Sequence, residues 1–284
     1  MTRHLEVTTT LDATALRRSV LRMAHAGSTV HIACAFSIIE IMAVLYGHQM
    51  RHGGKPESPG RDYLVLSKGH GVMAQYACMY ALGWLDGEDL DRYFADGTRL
   101  KGLSDTHVPG LEVTSGSLGH GLSDGVGLAL AAKRRGTDQR CYAIVGDGEM
   151  NEGSIWEALM FAAHQKLDNL VVIVDANNFQ AMGSTTEVLD MGDLAAKLRA
   201  FGYVTLDVDG HDEHALRLAL NDLREPDGLP KAIVAHTVKG KGLSFMEHDN
   251  RWHYTRLTET TLAQALGELT PLNSSQSGAE DIQP

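Results

Sequence analysis

Two short apolar runs, Cys141 to Val145 and Leu170 to Asp175, bracket a stretch of helical spacing from Gly153 to Lys166. Strands that are apolar on both faces need cover on both sides, which a parallel sheet between helical layers supplies. The pair therefore predicts a βαβ unit with a right-handed crossover. The alternation continues with a helix from Leu194 to Phe201, a strand from Tyr203 to Val208, a helix from Glu213 to Leu223 and a strand from Lys231 to His236. Upstream, apolar residues at helical spacing predict helices from Ala13 to His25, Ser37 to Met50, Gly71 to Leu82 and Glu88 to Ala95, with a short strand from Tyr63 to Leu66. The expected class is α/β, a three-layer parallel sheet with helices on both faces. With 43% hydrophobic residues in 284, residues 1–270 can form one large core. Residues 271–284, polar, Ser-rich and aperiodic, read as a disordered tail. The longest aperiodic stretch runs from Gly97 to Gly119 and holds five glycines, which predicts a functional loop.

The charge balance, 25 Lys+Arg against 36 Asp+Glu for a net −11, repels nucleic acid and anionic membranes. The first residues, MTRHLEVTTTLDAT, lack the apolar stretch of a signal peptide, and no run approaches the roughly 18 apolar residues of a membrane span. A cytoplasmic protein is expected. Cys34, Cys78 and Cys141 lie far apart in apolar surroundings and read as buried, reduced thiols.

Ligands of open α/β sheets sit beyond the carboxyl ends of the strands. The first strand of the βαβ unit runs into Gly146-Asp147-Gly148-Glu149-Met150-Asn151-Glu152-Gly153, and the second into Asp175-Ala176-Asn177-Asn178-Phe179-Gln180. Asn177 follows Asp147 by 30 positions, a separation that suits two neighbouring strand tips joined by one crossover helix. A carboxylate, an amide oxygen and a backbone carbonyl are hard donors suited to Mg²⁺, which completes its shell with phosphate and water. The flanking glycines and a helix starting near Gly153 would let backbone amides approach a diphosphate. Taken singly, Asp147 is also an ordinary turn residue and Asn177 an ordinary cap.

GDGEMNEG followed by DANN resembles the signature of thiamine-diphosphate enzymes. Ser67-Lys68-Gly69-His70, Thr114 to Ser123 (TSGSLGHGLS), Lys166 to Leu170 (KLDNL), Val208 to Asp212 (VDGHD), Thr237 to Gly242 (TVKGKG) and Trp252-His253 are similar, in that order, to the N-terminal half of transketolases. The resemblance runs from about Leu16 to His253. It implies a thiamine-diphosphate-binding fold whose metal ligands are Asp147, Asn177 and the carbonyl of Phe179. It implies a cofactor cradle of His70, Gly116, Ser117, Leu118, Gly146, Asp147, Gly148, Glu149, Asn177 and Phe179. His31, in a stretch whose family glycines are largely replaced, and His253, with Tyr254 in place of a glycine, join His70 as catalytic candidates. Glu152 and Glu157 are also catalytic candidates, matching carboxylates at a subunit interface, where burial would raise their proton affinity. The ordinary readings are a core or helix-start histidine for His31 and His70 and a solvated face for the two glutamates. Lys239 and Lys241 are either steering groups or turn lysines.

Where transketolases carry Gly-His-Pro, between Leu100 and Pro109, this chain reads Lys101-Gly102-Leu103-Ser104-Asp105-Thr106-His107. Either His107 compensates from a rearranged loop or the substrate differs from the usual sugar phosphates. His120 stands in place of a family glutamine. The resemblance further implies two-carbon ketol transfer from a ketose-like donor to an aldehyde or other acceptor. It also implies a separate pyrimidine-binding subunit that supplies an activating glutamate, in a heterotetramer of two plus two. The rival readings are another thiamine-diphosphate subunit, such as a 2-oxoacid dehydrogenase alpha subunit or a decarboxylating synthase, and a non-catalytic scaffold.

Overall fold

The computed structural model describes residues 8–28 and 30–270, so the expected tail at 271–284 lies outside the described residues. Five strands form one parallel sheet: β1 (Tyr63–Leu66), β2 (Cys141–Gly146), β3 (Leu170–Ala176), β6 (Val204–Asp209) and β7 (Lys231–His236), in the spatial order β1-β2-β3-β7-β6. Just past β3, the two-residue strands β4 (Phe179–Gln180) and β5 (Gly183–Ser184) pair as an antiparallel ribbon.

Strand residues alternate between two apolar layers, because successive side chains point to opposite faces. Leu64, Leu66, Tyr142, Ile144, Val171, Ile173 and Ile233 face helices Ala13–Ala26, Ile39–Val44, Val72–Ala81 and Glu213–Asp222. Val65, Cys141, Ala143, Val145, Val172, Val174 and Val234 face helices Gly121–Arg134, Gly153–His164 and Leu194–Ala200. The three-layer expectation therefore holds, and each fully buried aliphatic side chain contributes about 1.5–3 kcal/mol. All three cysteines are buried and free. Among the described residues no helix is long and apolar enough to cross a membrane.

The expected strands fall within a residue of those observed, whereas two helical expectations change and further helices appear. The predicted helix from Ser37 to Met50 starts earlier and breaks, into Ala33–Phe36, Ile39–Val44 and a π-turn at Leu45–Gln49. The break falls where Ser37 donates its hydroxyl to Asp175 at 2.8 Å. The helix expected over Glu88 to Ala95 is Gly87–Asp91, since Phe94 turns to a φ of 60°. Gly121–Arg134 lies beyond the predicted helices, and its glycines at 121, 125 and 127 are poor helix formers. Packing explains one of them: a Cβ on Gly121 would lie 2.6 Å from the Ser67 backbone. Helix Glu259–Glu268 also lies beyond the predicted helices, although Thr258 and Thr261 form a capping box at its start.

Candidate active site at the carboxyl edge of the sheet

Parallel register places the strand tips side by side: Gly146 lies opposite Asp175, and Ala176 opposite His236. Asp147, Asn177 and Thr237 thus follow adjacent strand ends. The Asp147 carboxylate accepts backbone N–H groups of Gly148 at 2.8 Å and Asn178 at 2.5 Å. Asp175, fully buried, accepts from Lys68 Nζ at 2.5 Å, Asn177 Nδ2 at 2.7 Å, Ser37 Oγ and Thr237 Oγ1. With its amide nitrogen committed to Asp175, Asn177 keeps its oxygen as the end available to a cation, shared so far only with the Phe179 N–H at 3.0 Å.

A cavity of about 370 Å³ opens over these tips. It is lined by every residue of the expected cofactor cradle except Ser117. Glu149 lines it too, yet its carboxylate is taken by Ser67 Oγ at 2.5 Å and the N–H groups of Gly119 and Gly146 at 2.8 and 3.1 Å. It ties the loops after β1 and β2 to the glycine-rich loop.

Burial, reinforced by the neighbouring Asp175 charge, pushes the Asp147 carboxyl up to about 7. Burial also acts to raise Asp175, but the Lys68 ammonium and four hydrogen bonds hold it below the usual carboxylate range. Of two adjacent buried carboxylates, Asp175 is thus neutralised from within the protein, and Asp147 is the one left short of positive charge.

His31, His70 and His253 meet at one side of the cavity, their ring centroids 5.2–5.8 Å apart. Burial, aided by the nearby lysines, lowers all three: His31 to about 4, His253 to about 3 and His70 well below its ordinary value. They stand as neutral imidazoles. Backbone bonds between Val30 and Thr255 hold the His31 and His253 segments together. His253 Nδ1 lies 2.9 Å from Lys239 Nζ and 3.6 Å from Cys34 Sγ.

Sequence reasoning passed over Lys68, Cys34 and Asp175 as site residues and left Lys239 undecided; Lys239 is buried behind His253, whereas Lys241 is half-exposed near Glu247. The signal for Lys68 and Asp175 was present, a lysine and a carboxylate each at the tip of an apolar strand. Glu152 and Glu157 lie outside the cavity, exposed at and beyond the start of helix Gly153–His164. His107 lines no part of it either: its ring is 86% exposed and bonds Asp105. Among the described residues, no three His, Cys, Asp or Glu side chains converge on a metal-sized space.

Residues 10–271 match the family described as transketolase, thiamine diphosphate binding domain. The chain belongs to that family. As a transketolase-type transferase subunit it is 36% identical to an apulose-4-phosphate transketolase subunit of Phocaeicola vulgatus, over 89% of this chain and 91% of that one. It is 40% identical to the 6-deoxy-6-sulfo-D-fructose transketolase subunit SqwG of a Clostridium species, over 84% and 88%. Human transketolase is 34% identical, with 90% of this chain matching 41% of the longer protein. The transketolase structure from Leishmania mexicana superposes with a TM-score of 0.82 at 31% identity, over 90% of this chain and 40% of that one. The chain thus spans about two fifths of that transketolase's length. These matches set it with transketolases rather than with 2-oxoacid dehydrogenase alpha subunits.

Proposed function

We propose that this transketolase domain holds thiamine diphosphate through Mg²⁺ bound by Asp147, Asn177 and the backbone carbonyl of Phe179, and serves two-carbon ketol transfer with a separate pyrimidine-binding subunit. The convergence of Asp147 and Asn177 from adjacent strand tips on one cavity carries the reading. The donor set fits: a buried carboxylate lacking positive charge gains from a hard divalent cation, and Asn177 offers an oxygen. The approach is close as well. A Cβ on Gly148 would sit 2.6 Å from the Gln180 side chain, so only glycine leaves the backbone bare there.

When bound, thiamine diphosphate supplies the carbon nucleophile and electron sink for cleaving the bond beside a ketose carbonyl. The chain's own residues bind and orient. His31, His70 and His253, kept neutral by burial, offer N–H donors and basic nitrogens to substrate oxygens, and Lys239 orients His253. Two matched relatives are named as transketolase subunits, which supports a partner chain providing the activating glutamate. Glu157, Met160 at 54% exposure and Phe161 at 46% lie at i, i+3 and i+4 on one helix, and we assign this face to the assembly interface of the two-plus-two heteromer.

Calorimetric titration of thiamine diphosphate, with and without Mg²⁺, tests the metal site. Asp147→Ala should weaken Mg²⁺-dependent binding at least about a hundredfold, more than loss of an outer partner costs. Equal affinity in the variant and the parent protein removes the assignment.

A further inference from the structure

A second cavity, of about 400 Å³, adjoins the first and shares His31 and Leu103 with it. Its walls are Val30, Tyr93, Phe94, Leu103 and Tyr254, with the Tyr254 ring 4.5 Å from His31 and the Tyr93 and Phe94 rings 6.0 Å apart. Three of these side chains remain well exposed despite their size: Phe94 at 44%, Leu103 at 42% and Tyr254 at 55%.

Four of the polar groups around this cavity are engaged with residues outside it. Lys101 Nζ donates to the Thr98 carbonyl at 2.6 Å, Asp105 takes His107, Ser115 Oγ donates to Leu66 O at 2.6 Å, and Thr114 Oγ1 accepts from the Thr106 N–H. Ser104 alone of the lining hydroxyls is buried without a partner. What the walls present to a ligand is therefore mostly carbon surface, with the Ser104, Tyr93 and Tyr254 hydroxyls and the His31 ring as its few polar groups.

Two departures from the transketolase pattern face this same space. Leu103 falls in the stretch that lacks Gly-His-Pro, and Tyr254 follows His253 in place of glycine. Leu103 sits at the junction of the two cavities and packs on the cradle, since a Cβ on Gly116 would meet its Cδ1 at 2.6 Å. His107 points to solvent, so it does not restore the lost histidine.

We propose that the second cavity receives the part of the substrate beyond its reacting carbonyl, and that this part is an aliphatic or sparsely hydroxylated chain rather than a polyhydroxylated sugar phosphate. The inference rests on the reading of the adjoining cavity as the cofactor site. Apolar walls gain from burying methylene groups, whereas a run of hydroxyls placed there loses water and finds few partners. Leu103 is the specificity-determining residue, because it sets a branched aliphatic side chain at the junction of the two cavities.

Saturation-transfer NMR on the full chain tests this with 1-butanol, glycerol and glycerol 3-phosphate as probes. The expected result is binding of 1-butanol about fivefold or more tighter than of glycerol, the size of effect a few buried methylenes produce. Leu103→His should erase that preference and Leu103→Met retain it, with all three proteins melting at the same temperature. Glycerol or its phosphate binding as tightly as 1-butanol, or a preference indifferent to Leu103→His, overturns the proposal. The probes need neither cofactor nor turnover. A failed thiamine diphosphate titration beside an intact, Leu103-dependent preference would therefore overturn the cofactor reading and leave the apolar specificity standing.

Discussion

Asp175 is not a candidate ligand, yet it decides how the candidates stand. It pairs with Lys68, turns the Asn177 amide, and anchors Ser37 and Thr237. Asp175→Asn strands the Lys68 charge in the interior, and breaking a buried pair in this way costs about 3–5 kcal/mol. Urea unfolding should show that loss; a midpoint unchanged from the parent protein would mean the pair is solvated. The histidines predict a pH dependence of defined sign. Burial and the Lys239 charge hold folded His31 near 4, and burial foremost holds His253 near 3, below the unfolded value of about 6.5. Groups so depressed contribute stability that is complete above pH ~6.5 and is lost as pH falls toward 4 and then 3. Melting temperatures between pH 7.5 and 4.5 should decline, and His31→Gln with His253→Gln should flatten the decline. An identical slope in the double variant would show that these rings are not held neutral.

At the scale of elements, the site is a meeting of loops that Glu149 joins. Its carboxylate accepts from the Ser67 hydroxyl, after β1, and from the backbone of Gly119 and Gly146. Burial raises the Glu149 carboxyl above its ordinary range, with the three donors opposing that shift. Glu149→Gln sets an amide N–H₂ against groups that are themselves donors and should cost about 1–3 kcal/mol, the penalty of an unmet buried hydrogen bond. Hydrogen exchange is the sharper measurement: faster exchange at Gly119 and Gly146 is expected, and protection equal to the parent protein would deny Glu149 its joining role.

At the scale of the whole molecule, the apolar face of helix Gly153–His164 asks for a neighbour. Met160 and Phe161 lie exposed beside Glu157, and contiguous apolar surface of this kind marks interaction sites. Met160→Glu with Phe161→Glu should dissociate the proposed heteromer in sedimentation experiments while the far-ultraviolet circular dichroism of the chain stays unchanged. Unaltered assembly mass in the double variant would move the interface elsewhere on the surface.

Much of this was legible in the residues alone. The apolar strand runs dictated a doubly covered parallel sheet, because both faces of each strand had to be buried, and the spacing of Asp147 and Asn177 followed from one crossover helix. Local pattern could not reveal Gly121–Arg134, whose first glycine serves a close approach to Ser67 rather than a turn. Nor could it pair Lys68 with Asp175, 107 positions apart, or tell whether His107 turns to the cavity or to solvent. Those outcomes depend on which side chains the packed sheet brings within reach of one another, and that distance exists only once the chain has folded.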